Sequence, residues 1–211
     1  MDMNYFDLQK QLLDQLKSKF GKFEKLAIVG PMSIYPESFA QLDDIEGIIF
    51  VDGGLKHTEK IKDFFCNVPS ISIGDGDSTS INHSVDILFP SHKDESDLSI
   101  ALSFLPPSCI ELHFLGFMGG RSDHFLCNLG EIHRFINNSI KQKIIYLYDQ
   151  YQFLIGTNQK IFIFTCHSTF SVLTLEENLL EINGECEYTS NEGFILEPLS
   201  SLGLSNKGYG E

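Results

Sequence analysis

Six short, apolar, β-branched runs alternate with helix-like segments over the first 150 residues, and this alternation restricts the fold more than any other feature. The runs are Leu26 to Gly30, Gly47 to Val51, Ser70 to Ile73, Val85 to Phe89, Ile110 to Leu115 and Ile144 to Leu147. A strand that is apolar at successive positions is covered on both faces, and strands separated by helices pair in parallel. The helix ends are readable. Ser96-Asp97 opens a segment through Leu98, Ile100, Ala101 and Leu102 that Pro106-Pro107 closes, and Ser122-Asp123 opens one through Phe125, Leu126, Leu129, Ile132 and Phe135. Tyr5, Phe6, Leu8, Leu12, Leu13, Leu16 and Phe20 add an amphipathic N-terminal helix within residues 2 to 20.

From Gln152 the pattern changes to strand-like runs separated by turns: Gln152 to Ile155, Ile161 to Phe164, Phe170 to Leu175, Leu179 to Ile182 and Phe194 to Leu196. The expected architecture is therefore α/β. An N-terminal domain with an open parallel α/β sheet (residues 1–150) precedes a small C-terminal all-β sandwich or barrel (residues 151–211).

Charge narrows the partners. With 29 acidic against 15 basic residues the net charge is -14, and no dense Lys/Arg cluster occurs, so neither a nucleic acid nor an anionic membrane surface is an expected partner. No apolar run reaches the roughly 18 residues of a membrane span. The first twenty residues carry Asp2, Asp7 and Asp14, unlike a secretory signal. Five cysteines with no C-x-x-C pair argue against both a disulfide framework and a cysteine zinc site, and a cytoplasmic location is expected.

Acidic residues gather where strands end. Val51 runs into Asp52-Gly53-Gly54, and Ile73-Gly74 into Asp75-Gly76-Asp77-Ser78. Ligands of open α/β sheets bind beyond the carboxyl ends of the strands, which is where these loops fall. In extended chain Asp75 and Asp77 project from one face about 7 Å apart and would bracket one cation. If Asp52, Asp75, Asp77, Asp97 and Asp123 converge, each pair at about 4 Å repels by roughly 4 kcal/mol at an effective dielectric near 20, so the cluster needs a counter-ion. Hard oxygen donors without Cys or paired His favour Mg²⁺. Taken singly, each acid has a simpler account: Asp97 and Asp123 as helix starts, the others as turn residues.

Gly116 to Gly120 is a glycine-rich connection between a strand and a helix, followed by Arg121, Ser122, Asp123 and His124. Its amides and the Arg121 fork suit phosphate, although neither a P-loop nor a dinucleotide-binding glycine pattern is present. His124 reads as a substrate contact or as a helix-start histidine, and Lys93 as a phosphate contact or a solvated loop charge.

Taken together, Asp52-Gly53-Gly54, then Gly74-Asp75-Gly76-Asp77-Ser78, then Lys93 through Ser96-Asp97-Leu98, then Gly119-Gly120-Arg121-Ser122-Asp123-His124 with Asn128, resemble the ordered motifs of thiamine pyrophosphokinases. Ser171 to Leu175, Gly184 with Tyr188, and Ser200 to Asn206 resemble that family's β-domain motifs, so the resemblance covers about residues 26 to 206. It implies pyrophosphate transfer from MgATP to thiamine, giving thiamine diphosphate and AMP, in a homodimer with sites between subunits. It also implies roles. Asp75, Asp77 and Asp97 are metal ligands, Asp52 and Asp123 are neighbouring acids, and Arg121 and His124 act on the phosphates or the hydroxyl. Gly53, Gly54, Ser78, Lys93, Ser96, Gly119, Gly120 and Asn128 bind nucleotide, while Tyr188, Ser205 and Asn206 contact thiamine. The sequence departs from the family at Gly76, at Ser96 and over Gly184 to Tyr188, and it has no Trp. Two alternatives follow: a pyrophosphokinase for another small alcohol such as a pterin, or a non-catalytic nucleotide-binding relative.

Overall fold

The computed structural model describes residues 5–39, 42–77, 85–150, 152–159, 161–164 and 166–210. The chain separates into two compact units, Met1–Gln159 and Lys160–Glu211. The first is built on a seven-stranded sheet of order β4-β3-β2-β1-β5-β6-β7. Its strands are β1 (Lys25–Val29), β2 (Gly47–Val51), β3 (Ser70–Gly74), β4 (Ile87–Leu88), β5 (Glu111–Leu115), β6 (Ile144–Tyr148) and β7 (Phe153–Thr157). Six strands run parallel, and β7 returns antiparallel to β6 with Tyr148 opposite Phe153.

Because successive side chains point to opposite faces, each apolar strand feeds two cores. Leu26, Ile28, Ile49, Ile71, Leu112, Phe114 and Ile145 pack on one face with residues of α1 (Tyr5–Phe20), α4 (Asp97–Ser103) and α5 (Ser122–Asn137). Ala27, Val29, Ile48, Phe50 and Leu115 face the other way, with Phe39 of α2 (Pro36–Phe39) and Ile61 of α3 (Thr58–Phe64). In α1 the i, i+4 ladder Leu8, Leu12, Leu16, Phe20 is buried, while Phe6, expected on the same stripe, is exposed. Ser96 caps α4 by accepting the Ser99 N–H at 3.0 Å, as the Ser-Asp opening predicted.

The segment expected to begin the β module, Gln152 to Ile155, instead supplies β7 of the first sheet, so the compact unit ends at Gln159 rather than near 150. Its pairing with β6 across a tight connection explains the change of pattern there, since an antiparallel neighbour needs no crossover helix.

The second unit holds two small antiparallel sheets. One pairs β9 (Asn178–Ile182) with β10 (Ser190–Leu196), and the other pairs β8 (Thr169–Phe170) with β11 (Asn206–Lys207), extended by the bridges Cys166–Gly210 and Cys186–Gly208. The expected strand at 161–164 does not form among the described residues, and Ile161 and Ile163 are exposed. All five cysteines are free. Among the described residues no helix is long and apolar enough to cross a membrane.

Candidate active site at the strand ends

The sheet order reverses direction at β1, so the parallel strands deliver their loops to one rim with β1 and β5 at its centre. Asp52 leaves β2 with φ 51°, a left-handed conformation that a non-glycine residue adopts at a cost and that recurs at functional sites. It starts a 3₁₀ turn, Asp52–His57, whose Gly53 and Gly54 are buried. A Cβ on Gly54 would overlap the Val29 carbonyl, so glycine lets this turn lie directly on β1. Gly74, the last residue of β3, passes close to the same turn: a Cβ there would stand 3.0 Å from Asp52 Cα and 3.8 Å from Asp97 Oδ2.

These close passages bring Asp52, Asp75 and Asp77 together, each offering a carboxylate oxygen, all within 4.8 Å of one another. Asp75 and Asp77 do not use the extended geometry expected from their spacing. Gly76 takes φ 77° and the Asp77 N–H donates to Asp75 Oδ1 at 3.1 Å, folding the two carboxylates round one point. Asp52 and Asp75 are half-buried and Asp77 is exposed. Two carboxylates at about 4.8 Å repel by roughly 3 kcal/mol at an effective dielectric near 20. The all-oxygen donor set fits Mg²⁺: an octahedral shell of about 2.1 Å radius spaces its oxygens by roughly 3 to 4.2 Å, and three carboxylates leave positions for water and phosphate.

Asp97, at the start of α4, stands beside this group. Burial pushes its carboxyl above the usual range; Lys93 pulls it down, and Asp52 and Asp75 push it up again. Lys93 pairs with it at 3.0 Å and also donates to the Pro90 carbonyl at 3.2 Å, so this ammonium is committed to its own loop. Ser96, expected on the nucleotide, is the α4 cap described above. Ser78 lies outside the described residues.

The glycine-rich connection after β5 turns through Gly116, Gly119 and Gly120 at φ 72°, 85° and 68° and delivers Arg121 to the N-terminus of α5. Arg121 is exposed and forms a two-pronged pair with Asp123, Nε to Oδ1 at 3.1 Å and Nη2 to Oδ2 at 2.5 Å. That pairing, with the His124 N–H at 3.0 Å, draws the Asp123 carboxyl down to about 2. Asp123 thus holds Arg121 and stands apart from the three gathered carboxylates. His124 is exposed and Asn128 is half-buried one turn further along α5.

Within the second unit, Asn206 is buried and its amide is used within the chain. Oδ1 accepts from the N–H of Tyr188 at 3.0 Å and of Lys207 at 2.8 Å, and Nδ2 donates to the Tyr188 carbonyl at 2.7 Å. The side chain replaces a strand partner for Tyr188, whose ring is exposed. Ser205 has φ 60° and its N–H donates to Ser171 Oγ at 3.1 Å. Sequence reasoning missed this clamp, and also the loop of residues 30–35 that reaches the glycine turn; Gly30-Pro31 directly after a strand was the available signal.

The α/β unit thus carries two features on its strand-end rim: carboxylates gathered after β2 and β3, and a glycine turn after β5 that leads to an exposed arginine. Residues 40–145, half of the chain, match the family model described as thiamin pyrophosphokinase, catalytic domain, and the chain belongs to that family. The fold agrees with solved structures. A thiamine pyrophosphokinase from Bacillus subtilis aligns with TM-score 0.53 at 19% identity over 87% of this chain and 89% of that one. A thiamin pyrophosphokinase from Geobacillus thermodenitrificans aligns with TM-score 0.56 at 19% identity over 87% of each. No curated protein matches the chain.

Proposed function

We propose that this protein transfers the pyrophosphoryl group of MgATP to the hydroxyl of thiamine, giving thiamine diphosphate and AMP. The observation that carries the reading is the meeting of Asp52, Asp75 and Asp77 at the strand ends of a family member's catalytic domain. These three, with Asp97 alongside, would hold Mg²⁺, which when bound neutralises charge on the triphosphate. The chain's own groups orient the rest. Arg121 offers a planar fork that phosphate oxygens can take over from Asp123, and the glycine turn before it leaves room for phosphate to approach: nothing lies within 4 Å of a Cβ placed on Gly119. As the thiamine oxygen bonds to the β-phosphorus, its proton passes to solvent and the bond from that phosphorus to the AMP oxygen breaks, AMP leaving with the electron pair. Arg121 would stabilise the charge that develops on the equatorial oxygens. The C-terminal unit would supply thiamine contacts through Tyr188 and Ser205, in a cytoplasmic homodimer with sites between subunits; the free thiols suit a reducing compartment.

A second acceptor alcohol, such as a pterin, is favoured by one feature: Asn206, the residue matching a thiamine contact, spends its amide on Tyr188. The test is AMP release from MgATP with each alcohol offered separately. Thiamine-dependent AMP matched by equal thiamine diphosphate is the expected result. AMP formed only with another alcohol, or MgATP bound without any turnover, would replace the proposal with one of its alternatives.

A further inference from the structure

The 3₁₀ turn that begins at Asp52 ends at His57, and His57 is anchored to a different part of the rim. Its Nε2 lies 2.7 Å from the Met32 carbonyl, and Lys60, one turn on, donates to the Ile34 carbonyl at 2.6 Å. The loop of residues 30–35 is thereby tied to the β2 side of the sheet. Its other side is tied to the connection after β5: the Gly30 N–H donates to Leu115 O at 2.8 Å and the Met32 N–H to Gly116 O at 2.9 Å. Met32 then reaches the glycine turn itself. A Cβ on Gly116 would stand 2.8 Å from the carbonyls of both Gly30 and Met32, and one on Gly120 would overlap Met32 Sδ. Arg121 is the next residue.

We infer that His57 is a positioning residue that, through Met32, sets where the Gly119–Gly120–Arg121 turn stands relative to Asp52. One short turn thus carries a metal-side carboxylate at its first residue and the clamp on the phosphate-side loop at its last. A six-residue 3₁₀ turn rises about 2 Å per residue, so it forms a short link between the two halves of the rim. Such placement matters because misplacing a reacting group by about 1 Å costs on the order of 100-fold in rate. Burial makes the His57 ring less basic, against the opposing pull of the Met32 bond and with Lys56 and Lys60 acting with burial; because the Met32 carbonyl only accepts, Nε2 is the donor.

The inference rests on the proposed role of Arg121 on phosphate, and two measurements separate their failures. The first is the amide NMR shifts of Gly116, Gly119 and Gly120 in H57L and H57Q. H57L removes the donor at similar volume and is expected to move all three, whereas H57Q, whose amide reaches as far as Nε2, is expected to leave them close to wild type. Unmoved glycines in H57L overturn the inference whatever reaction the protein performs. Should H57L not fold, H57N carries the test, because its shorter amide cannot reach Met32 and must move the glycines where H57Q does not. The second is AMP release in a cycle of H57L with R121A. H57L is expected to lose about 10- to 100-fold in kcat with intact Arg121 and little more once Arg121 is gone, with rescue by H57Q. Equal losses in both backgrounds indicate a merely structural histidine and overturn the inference. A wild-type protein that releases no AMP counts against the proposed reaction, and the glycine shifts then decide alone.

Discussion

The two rims of one sheet treat their carboxylates in opposite ways. At the amino ends of the strands, Glu111 is met by Lys25 at 3.1 Å and His113 at 2.7 Å, and Glu46 accepts the N–H groups of Glu24 and Lys25 at 2.5 and 2.9 Å. His113 lies buried between Glu111 and the Tyr148 hydroxyl. The Glu111 carboxyl consequently sits below its ordinary range, chiefly through the His113 bond. At the carboxyl ends, Asp52, Asp75 and Asp77 gather, and beside them Asp97 is held above its ordinary range by burial in spite of Lys93. One rim pairs its carboxylates with Lys25, His113 and backbone N–H groups, whereas the other crowds three carboxylates together, where like charges repel. On the proposed function, stability and ligand binding fall to opposite edges of the sheet.

The contrast breaks most visibly at Asp75. Asp75→Asn removes one charge from the crowded rim, and Mg²⁺-dependent nucleotide affinity is expected to fall by about 100-fold or more, beyond what loss of a supporting group costs. The melting temperature without metal should not fall. Calorimetry of ATP binding with and without Mg²⁺ measures it; equal wild-type affinity in both conditions would remove the metal from this rim.

At the opposite rim the expected effect is on stability alone. Glu111→Gln loses charge-assisted bonds worth roughly 1 to 2 kcal/mol at a half-exposed site, or about 2 to 8 °C in melting temperature, with turnover per folded molecule unchanged. The sign with pH follows from the lowered carboxyl. Its contribution is full above the ordinary value of 4.5 and is lost as pH falls through the folded-state value, so wild type and variant should converge in acid. Thermal scans across that range check the convergence.

Asp97→Asn sharpens the comparison with the smallest change. A raised carboxyl favours the folded state only while protonated; that contribution disappears as pH rises through the folded-state value, leaving a cost at neutral pH. Without divalent cation the variant is therefore expected to melt slightly higher than wild type, by a degree or two, since Lys93 loses its charged partner in exchange. Saturating Mg²⁺ should reverse the order by stabilising wild type more. Melting curves in chelator and in Mg²⁺ decide it.

The α/β half was legible because two-sided burial leaves continuous apolar runs, as in β2, that recur between helix-like segments with readable ends. Asp52 and Asp75 were legible because an acid directly after such a run must lie on the rim. The 161–164 run misled because apolar residues alone do not make a strand: in a unit of about fifty residues there is too little interior to cover them, and Ile161 and Ile163 remain exposed. Asn206, expected on thiamine, has a structural use that its residue type did not reveal. A buried amide that imitates a strand partner and one that recognises a ligand present the same residue type to the sequence. The hydrogen bonds to Tyr188 show the first of these uses.

The strand order has a kinetic corollary. β1 pairs with β2 across a short stretch of chain but with β5 only after the intervening β2–β4 segment has been threaded to the far side, while β5, β6 and β7 are neighbours in both sequence and space. Contacts distant in sequence cost the most loop-closure entropy and form late. The β1–β5 ladder is thus a seam between two locally connected halves, one bearing the aspartates and the other Arg121. The proposed site therefore needs that ladder: either half alone would hold the aspartates or Arg121 but not both.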